Sequence, residues 1–240
     1  MRYDQLLTYH NVPLLLRKSV KQLKNCKIFL DFDNTVTSFD VLDDIIQRFS
    51  INRNWEDYEK RWQEWKIGAK ECLKGQLKSI RITKEAMAQY VSTIKLDPFF
   101  HKLMMMLKKK GIHPVILSDS FSLIIRGILR SNGIKGIKVY ANTAKFFKDR
   151  LIPSFPHTDR NCLRCAHCKK IHLLKKDVKD KYKIYIGDGL SDICPAEHSD
   201  MVFAKGSLWR YLREKKKPCV GFKNLEEVYT AFQTNCKNLF

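Results

Sequence analysis

The 240-residue chain has no long apolar run. Near the N-terminus, Leu14-Leu15-Leu16 is cut short by Arg17-Lys18. A membrane-spanning helix needs about 20 predominantly apolar residues. Neither a span nor a signal peptide is therefore expected, and the expected compartment is the cytoplasm. Acidic residues are also scarce: 25 Asp+Glu stand against 45 Lys+Arg, a formal net charge of +20. Such a field draws anions of any kind, a phosphorylated metabolite, a nucleic acid or an acidic membrane surface. The basic residues are spread out, with short runs at Lys108-Lys109-Lys110 and Lys215-Lys216-Lys217, and are not interleaved with aromatics as in a single-strand groove. They read as a solvated lysine-rich surface, with neither a nucleic acid nor a membrane expected as partner. Internal repeats and low-complexity linkers are missing too. What is present is a 44% hydrophobic fraction, enough for a real core. The length suits one sizeable domain, or a core carrying a smaller insert.

In a reducing compartment, eight cysteines do not imply a disulfide framework. Cys26, Cys72, Cys194, Cys219 and Cys236 are scattered and read as small buried apolar residues. Cys162, Cys165 and Cys168 stand close together. Their spacing suits a zinc site with His157, His167 or His172 as fourth ligand, or simply a loop shaped by structural thiols. Both readings stay open at this point.

Strand signals alternate with helix signals over most of the chain. Lys27 to Leu30 is a short apolar run ending in Asp31-Phe32-Asp33, and His113 to Leu117 ends in Ser118-Asp119-Ser120. Lys183 to Ile186 ends in Gly187-Asp188-Gly189, and Met201 to Ala204 is a fourth candidate. Runs of this length suit buried parallel strands. Helical stretches such as Phe99 to Lys110 and Phe121 to Ser131 lie between them. The order predicts an α/β fold with a doubly wound parallel sheet. From Val41 to Val91 the pattern is helical throughout, and Trp55, Trp62 and Trp65 are expected to pack there. The expected organisation is a core of residues 1–38 and 95–240 with a helical cap at 39–94.

Ligands of a parallel sheet bind at the carboxyl ends of its strands. Asp31 and Asp33, Ser118, and Asp188 with Asp192 all stand where an apolar run turns polar. Helix capping alone would explain single Asp or Ser residues. It does not require two carboxylates one residue apart and a later Gly-Asp-Gly. Phosphoryl transfer does: one carboxylate attacks phosphorus, while the second, two residues along an extended chain, gives and takes a proton. A cation such as Mg²⁺, shared by Asp31 and Asp188, keeps the carboxylates from repelling the phosphate. A hydroxyl (Ser118) and an ammonium would hold the remaining phosphate oxygens.

Asp31-Phe32-Asp33-Asn34-Thr35-Val36-Thr37 resembles the first motif of the haloacid dehalogenase-like hydrolases. Ser118 resembles the second, and Gly187-Asp188-Gly189-Leu190-Ser191-Asp192 the fourth. Lys169, after Cys168, sits where related phosphatases have a Cys-Lys pair, with Lys170 as its rival for the third. The resemblance runs from Lys27 to Ala204. It implies a Rossmann-like core with an inserted helical cap, and Asp31 as nucleophile with Asp33 as acid and base. It also implies Mg²⁺ held by Asp31, the Asp33 carbonyl and Asp188, with Asp192 in support. Asp33 favours phosphatases over dehalogenases, and the ion-pump sequence Lys-Thr-Gly-Thr is absent. Trp65 to Gln76 and the Cys-Lys pair are similar to phosphatases of methionine salvage acting on 2-hydroxy-3-keto-5-methylthiopentenyl-1-phosphate. Phosphoserine phosphatases have an acidic residue where Asp40 stands and an Arg where Gln76 falls, and the clustered cysteines also resemble phosphoethanolamine/phosphocholine phosphatases. Asp40 and Gln76 are thus the candidates for the substrate's non-phosphate end. The expected partner is a small phosphorylated metabolite. A binding protein on the same fold without activity is the rival from another class, and no motif residue is missing to favour it.

Overall fold

Apolar runs bounded by turn-forming residues become strands in the structure, a computed structural model that describes residues 25–236, with side chains to 234. The Leu14-Leu15-Leu16 stretch, the first 24 residues of the expected core and the side chain of Cys236 lie outside the described residues. In chain order the elements are β1 (Cys26–Leu30), α1 (Val41–Phe49), α2 (Asn54–Gln63), α3 (Ala69–Leu77), α4 (Lys84–Thr93) and α5 (Phe100–Lys109). There follow β2 (Val115–Phe121), α6 (Ser122–Ser131), β3 (Lys138–Phe147), β4 (Arg150–Ser154), α7 (Lys170–Leu173) and β5 (Tyr182–Gly187). A 3₁₀ turn (Leu190–Asp192), α8 (Ile193–Glu197), β6 (Met201–Ala204), α9 (Gly206–Glu214), β7 (Val220–Gly221) and α10 (Leu225–Cys236) complete the order. The fold is α/β and Rossmann-like, with four consecutive helices, α1 to α4, inserted after β1.

The described residues divide into two compact units. The first comprises 25–31, 97–115 and 172–236. Its strands run in the order β1-β5-β6-β7, all parallel, with Leu30 opposite Ile186 and Gly187 opposite Ala204. Ile28, Leu30, Ile184 and Ile186 are fully buried, as continuous apolar runs in a parallel sheet should be. Helix α5 turns Phe100, Leu103 and Leu107 inward at three- and four-residue spacing. The Phe203 and Phe232 rings meet at 5.6 Å, packing α10 on β6.

The second unit comprises Phe32–Leu96 and Ile116–Ile171. Its strands run β4-β3-β2, and β3 pairs antiparallel with β4 across a turn where Lys148 takes φ 54°. Two glycines let helices close up here: a Cβ on Gly75 would collide with the Tyr58 ring, and one on Gly127 would stand 2.8 Å from Val91. Helix α1 begins where the Asp40 carboxylate accepts from the Asp43 amide at 2.9 Å, an N-cap.

Several expectations change. The second strand runs four residues past Leu117, so Ser118 lies within β2 rather than beyond its end. The β3–β4 hairpin was not expected and is not parallel. Trp65 is 49% exposed rather than packed inside, with the Arg164 guanidinium over its ring; Trp55 and Trp62 are half-buried. Cys72 and Cys219 are buried as expected, while Cys26 and Cys194 are only partly so.

Candidate active site

At the end of β1 the Asp31 amide donates to the Ile186 carbonyl at 2.9 Å, continuing the ladder with β5 by one residue. Asp31 is 6% exposed. Beyond β5 the chain turns, and Asp192 organises the turn. One carboxylate oxygen accepts from the amides of Asp188 (2.9 Å) and Gly189 (3.0 Å), and the other accepts the Tyr185 hydroxyl at 2.5 Å. Gly187 is required beneath it, since a Cβ there would stand 2.5 Å from that Asp192 oxygen. The result is one carboxylate oxygen each from Asp31, Asp188 and Asp192 within 4.8 Å of one another. Hard oxygen donors at this spacing suit Mg²⁺. Asp192 in this group already serves three protein donors.

One residue of this unit escaped the sequence reading. Lys205 follows β6 and is half-buried. Burial pushes its ammonium down, while Asp188, Asp97 and Asp31 pull it back up. The next residue, Gly206, has φ +54°, and a Cβ on it would stand 2.9 Å from the Asp188 carbonyl. That carbonyl accepts the Leu208 amide at 2.8 Å, so the start of α9 pins the Asp188 turn. The available signal was the position of Lys205 at the end of a parallel strand.

In the second unit, the chain does not stay extended after Phe32. The Phe32 carbonyl accepts the amides of Thr35, Val36 and Thr37, and Asn34 adopts φ 54°, a left-handed conformation that Asn tolerates. Asp33 therefore opens a turn, and strand alternation does not place its side chain. Asp33 is 9% exposed and accepts the Val41 amide at 2.9 Å. Its carboxyl lies well above the ordinary carboxylate range, through burial first and then the neighbouring Asp40; the Val41 amide and Lys169 work the other way. Lys169 is 1% exposed, whereas Lys170 reaches outward to Asp159 at 3.6 Å. His172 and Leu173 are buried, whereas Leu174, past the end of α7, is 53% exposed.

Ser118 is buried, and its hydroxyl accepts the Ser120 amide at 3.0 Å. Gln76 is 2% exposed and donates to Glu59 at 3.1 Å. Burial, and then Glu59, raises Asp40 against the Asp43 amide it accepts, while burial, Asp40 and Glu59 push Asp43 up to about 8. The Cys162, Cys165 and Cys168 sulfurs also lie within 4.8 Å of one another, and none of the three expected histidines joins that group. His167 is buried and turned to the Ser118 carbonyl at 2.9 Å. Structure thus brings together Asp31, Asp188 and Asp192 in one unit, and in the other places Asp33 and Asp40 within electrostatic reach of Lys169.

The chain is a phosphatase, a phosphomonoester hydrolase, on a fold shared with haloacid dehalogenase-family hydrolases. The chain belongs to the family described as Putative Phosphatase, which matches residues 26–218. It is 24% identical over 214 residues to a 2-hydroxy-3-keto-5-methylthiopentenyl-1-phosphate phosphatase of Brevibacillus brevis, covering 88% of this chain and 96% of that one. A protein of the same name from Geobacillus thermodenitrificans is 26% identical over 215 residues, with 88% and 96% covered. A substrate-bound phosphoserine phosphatase superposes with TM-score 0.66 at 18% identity, over 86% of this chain and 97% of that one. A haloacid dehalogenase-family hydrolase of Salmonella enterica serovar Typhi gives TM-score 0.67 at 17% identity, over 91% and 78%. No helix among the described residues is long and apolar enough to cross a membrane.

Proposed function

We propose that the chain is a Mg²⁺-dependent phosphatase of a small phosphorylated metabolite, working through an aspartyl-phosphate on Asp31. The observation that supports this most is the gathering of Asp31, Asp188 and Asp192 oxygens within 4.8 Å where β1 and β5 end. Asp31 attacks phosphorus, a P–O bond forms to its carboxylate, and the ester oxygen leaves with a proton from Asp33. Water then attacks the acyl phosphate, Asp33 takes its proton, and inorganic phosphate and free Asp31 result. Ser118 and Lys169 are assigned to the phosphate oxygens, the ammonium to offset the charge of two approaching anions. Asp31, Asp188 and the Asp33 carbonyl, with Asp192 in support, would hold Mg²⁺, which would supply charge neutralisation between carboxylate and phosphate.

Hydrolysis of a generic aryl phosphate tests the chemistry. Turnover should require Mg²⁺, vanish with EDTA and be absent in Asp31→Asn with the fold unchanged. Substantial turnover by Asp31→Asn sinks the mechanism.

For the substrate, the names of the relatives favour a methionine-salvage phosphate of the 2-hydroxy-3-keto-5-methylthiopentenyl-1-phosphate type. We assign specificity to the cap, residues 39–94, with Asp40 and Gln76 toward the non-phosphate end. A second reading has its own observation. Asp40, Asp43 and Glu59 repel one another in a buried setting, and a substrate ammonium would relieve them. That favours phosphoethanolamine or phosphocholine over phosphoserine, whose carboxylate would meet Gln76 and Glu59 instead of an Arg. A metabolite phosphate panel separates the readings: a clear preference for the amine-bearing esters displaces the methionine-salvage assignment.

A further inference from the structure

We propose that Cys162, Cys165 and Cys168 form a second metal centre, a tri-thiolate Zn²⁺ site that clamps the loop leading into Lys169. The three sulfurs lie within 4.8 Å of one another. In a tetrahedral site with Zn–S bonds of about 2.3 Å the sulfurs stand roughly 3.8 Å apart, so closing on a metal takes movements of about 1 Å. Cys162-Leu163-Arg164-Cys165 is a chelating turn in which the Arg164 and Cys165 amides hydrogen-bond to the Cys162 sulfur, as suits a thiolate ligand. Among the described residues no fourth His, Cys, Asp or Glu lies in the same 4.8 Å group, and the proposal takes the three thiolates as the protein ligands. Soft thiolates select zinc where the hard carboxylates of Asp31 and Asp188 select magnesium, and the two centres do not compete for one ion.

What the clamp would hold is visible on both sides of it. Residues 162–168 contain no helix or strand, yet Ala166, His167 and Cys168 are fully buried. At one end the Leu163 carbonyl fills the space that a Cβ on Gly68 would need. The Arg164 carbonyl accepts the Ala69 amide at 2.8 Å, and its guanidinium lies over the Trp65 ring. At the other end the Cys168 amide donates to the His157 carbonyl at 2.7 Å, and the next residue is the buried Lys169. A buried loop without ladder hydrogen bonds gains its rigidity from such a metal, whose binding energy is folding energy. The proposal stands on these contacts and does not depend on which phosphate is hydrolysed.

The test is metal content, read without any activity assay. The full chain, purified under reducing conditions and dialysed against Mg²⁺, should retain one zinc per chain by elemental analysis. The metal-free chain should develop a sulfur-to-cobalt charge-transfer band that saturates at one equivalent of Co²⁺. Cys162→Ser, Cys165→Ser and Cys168→Ser should each lose the band, and Cys219→Ser, in the other unit, should keep it. A wild-type chain with neither zinc nor a cobalt–thiolate band overturns the proposal, whatever the variants do. So does a disulfide between two of the three cysteines in freshly purified protein, detected by mass spectrometry. A chain with zinc bound and no phosphatase activity would refute the proposed reaction and leave this centre standing.

Discussion

Lys169 is 1% exposed and stands within electrostatic reach of Asp33 and Asp40. Removing a buried polar side chain costs on the order of 1–3 kcal/mol, because the polar groups around it lose a partner. Lys170 and Asp159 form a partly exposed pair, and such pairs are worth about 1 kcal/mol or less. Lys169→Ala should therefore lower both the melting temperature and turnover, while Lys170→Ala leaves each close to wild type. Thermal unfolding and steady-state kinetics on the two variants decide it; the opposite pattern would move the phosphate-binding lysine by one residue. Asp33→Asn should slow turnover by about 10²–10⁴, the usual worth of general acid–base help. A fluoroberyllate complex of the wild-type chain should carry the analogue on Asp31, and its appearance on Asp33 would exchange the two roles.

At the scale of elements, α1 ties stability to pH. Its Asp43 carboxyl, pushed up to about 8 from 3.8 by burial and by Asp40 and Glu59, keeps a proton in the folded chain that the unfolded chain has lost. Between about pH 4 and pH 8 the folded state thus binds more protons, and stability falls as pH rises through that window. Urea unfolding across it should show a steeper decline for wild type than for Asp43→Asn; parallel curves would show that Asp43 does not set the slope. The sequence showed β1, β5 and β6 to within a residue or two, because buried parallel strands are unbroken apolar runs. It missed β3 and β4, whose exposed and covered residues alternate, with Phe147 63% and Ile152 52% exposed. It also ended β2 early, since Ser118-Asp119-Ser120 looks like a loop while its backbone stays in the strand. Of the site, Asp31, Asp188 and Asp192 were readable from carboxylates at strand ends. Lys205 was passed over, because its one mark, a place just after the β6 run, does not stand out among 45 basic residues.

For the whole molecule the dominant quantity is the charge of +20. A field of that sign accelerates encounter with a dianionic phosphate, and salt screens it with a Debye length of about 10 Å at 0.1 M. Raising ionic strength should lower kcat/KM several-fold while kcat changes little; a fall confined to kcat would place the salt effect in the chemistry. Another whole-chain consequence comes from the Leu163 carbonyl that occupies the place of a side chain on Gly68. These positions lie far apart in sequence, yet neither can drift alone. A relative that acquires any larger residue at the position of Gly68 must reroute the Leu163 backbone, and with it the spacing of the cysteines on either side. Across the family, glycine at that turn and the three-cysteine pattern should be inherited or lost as one unit.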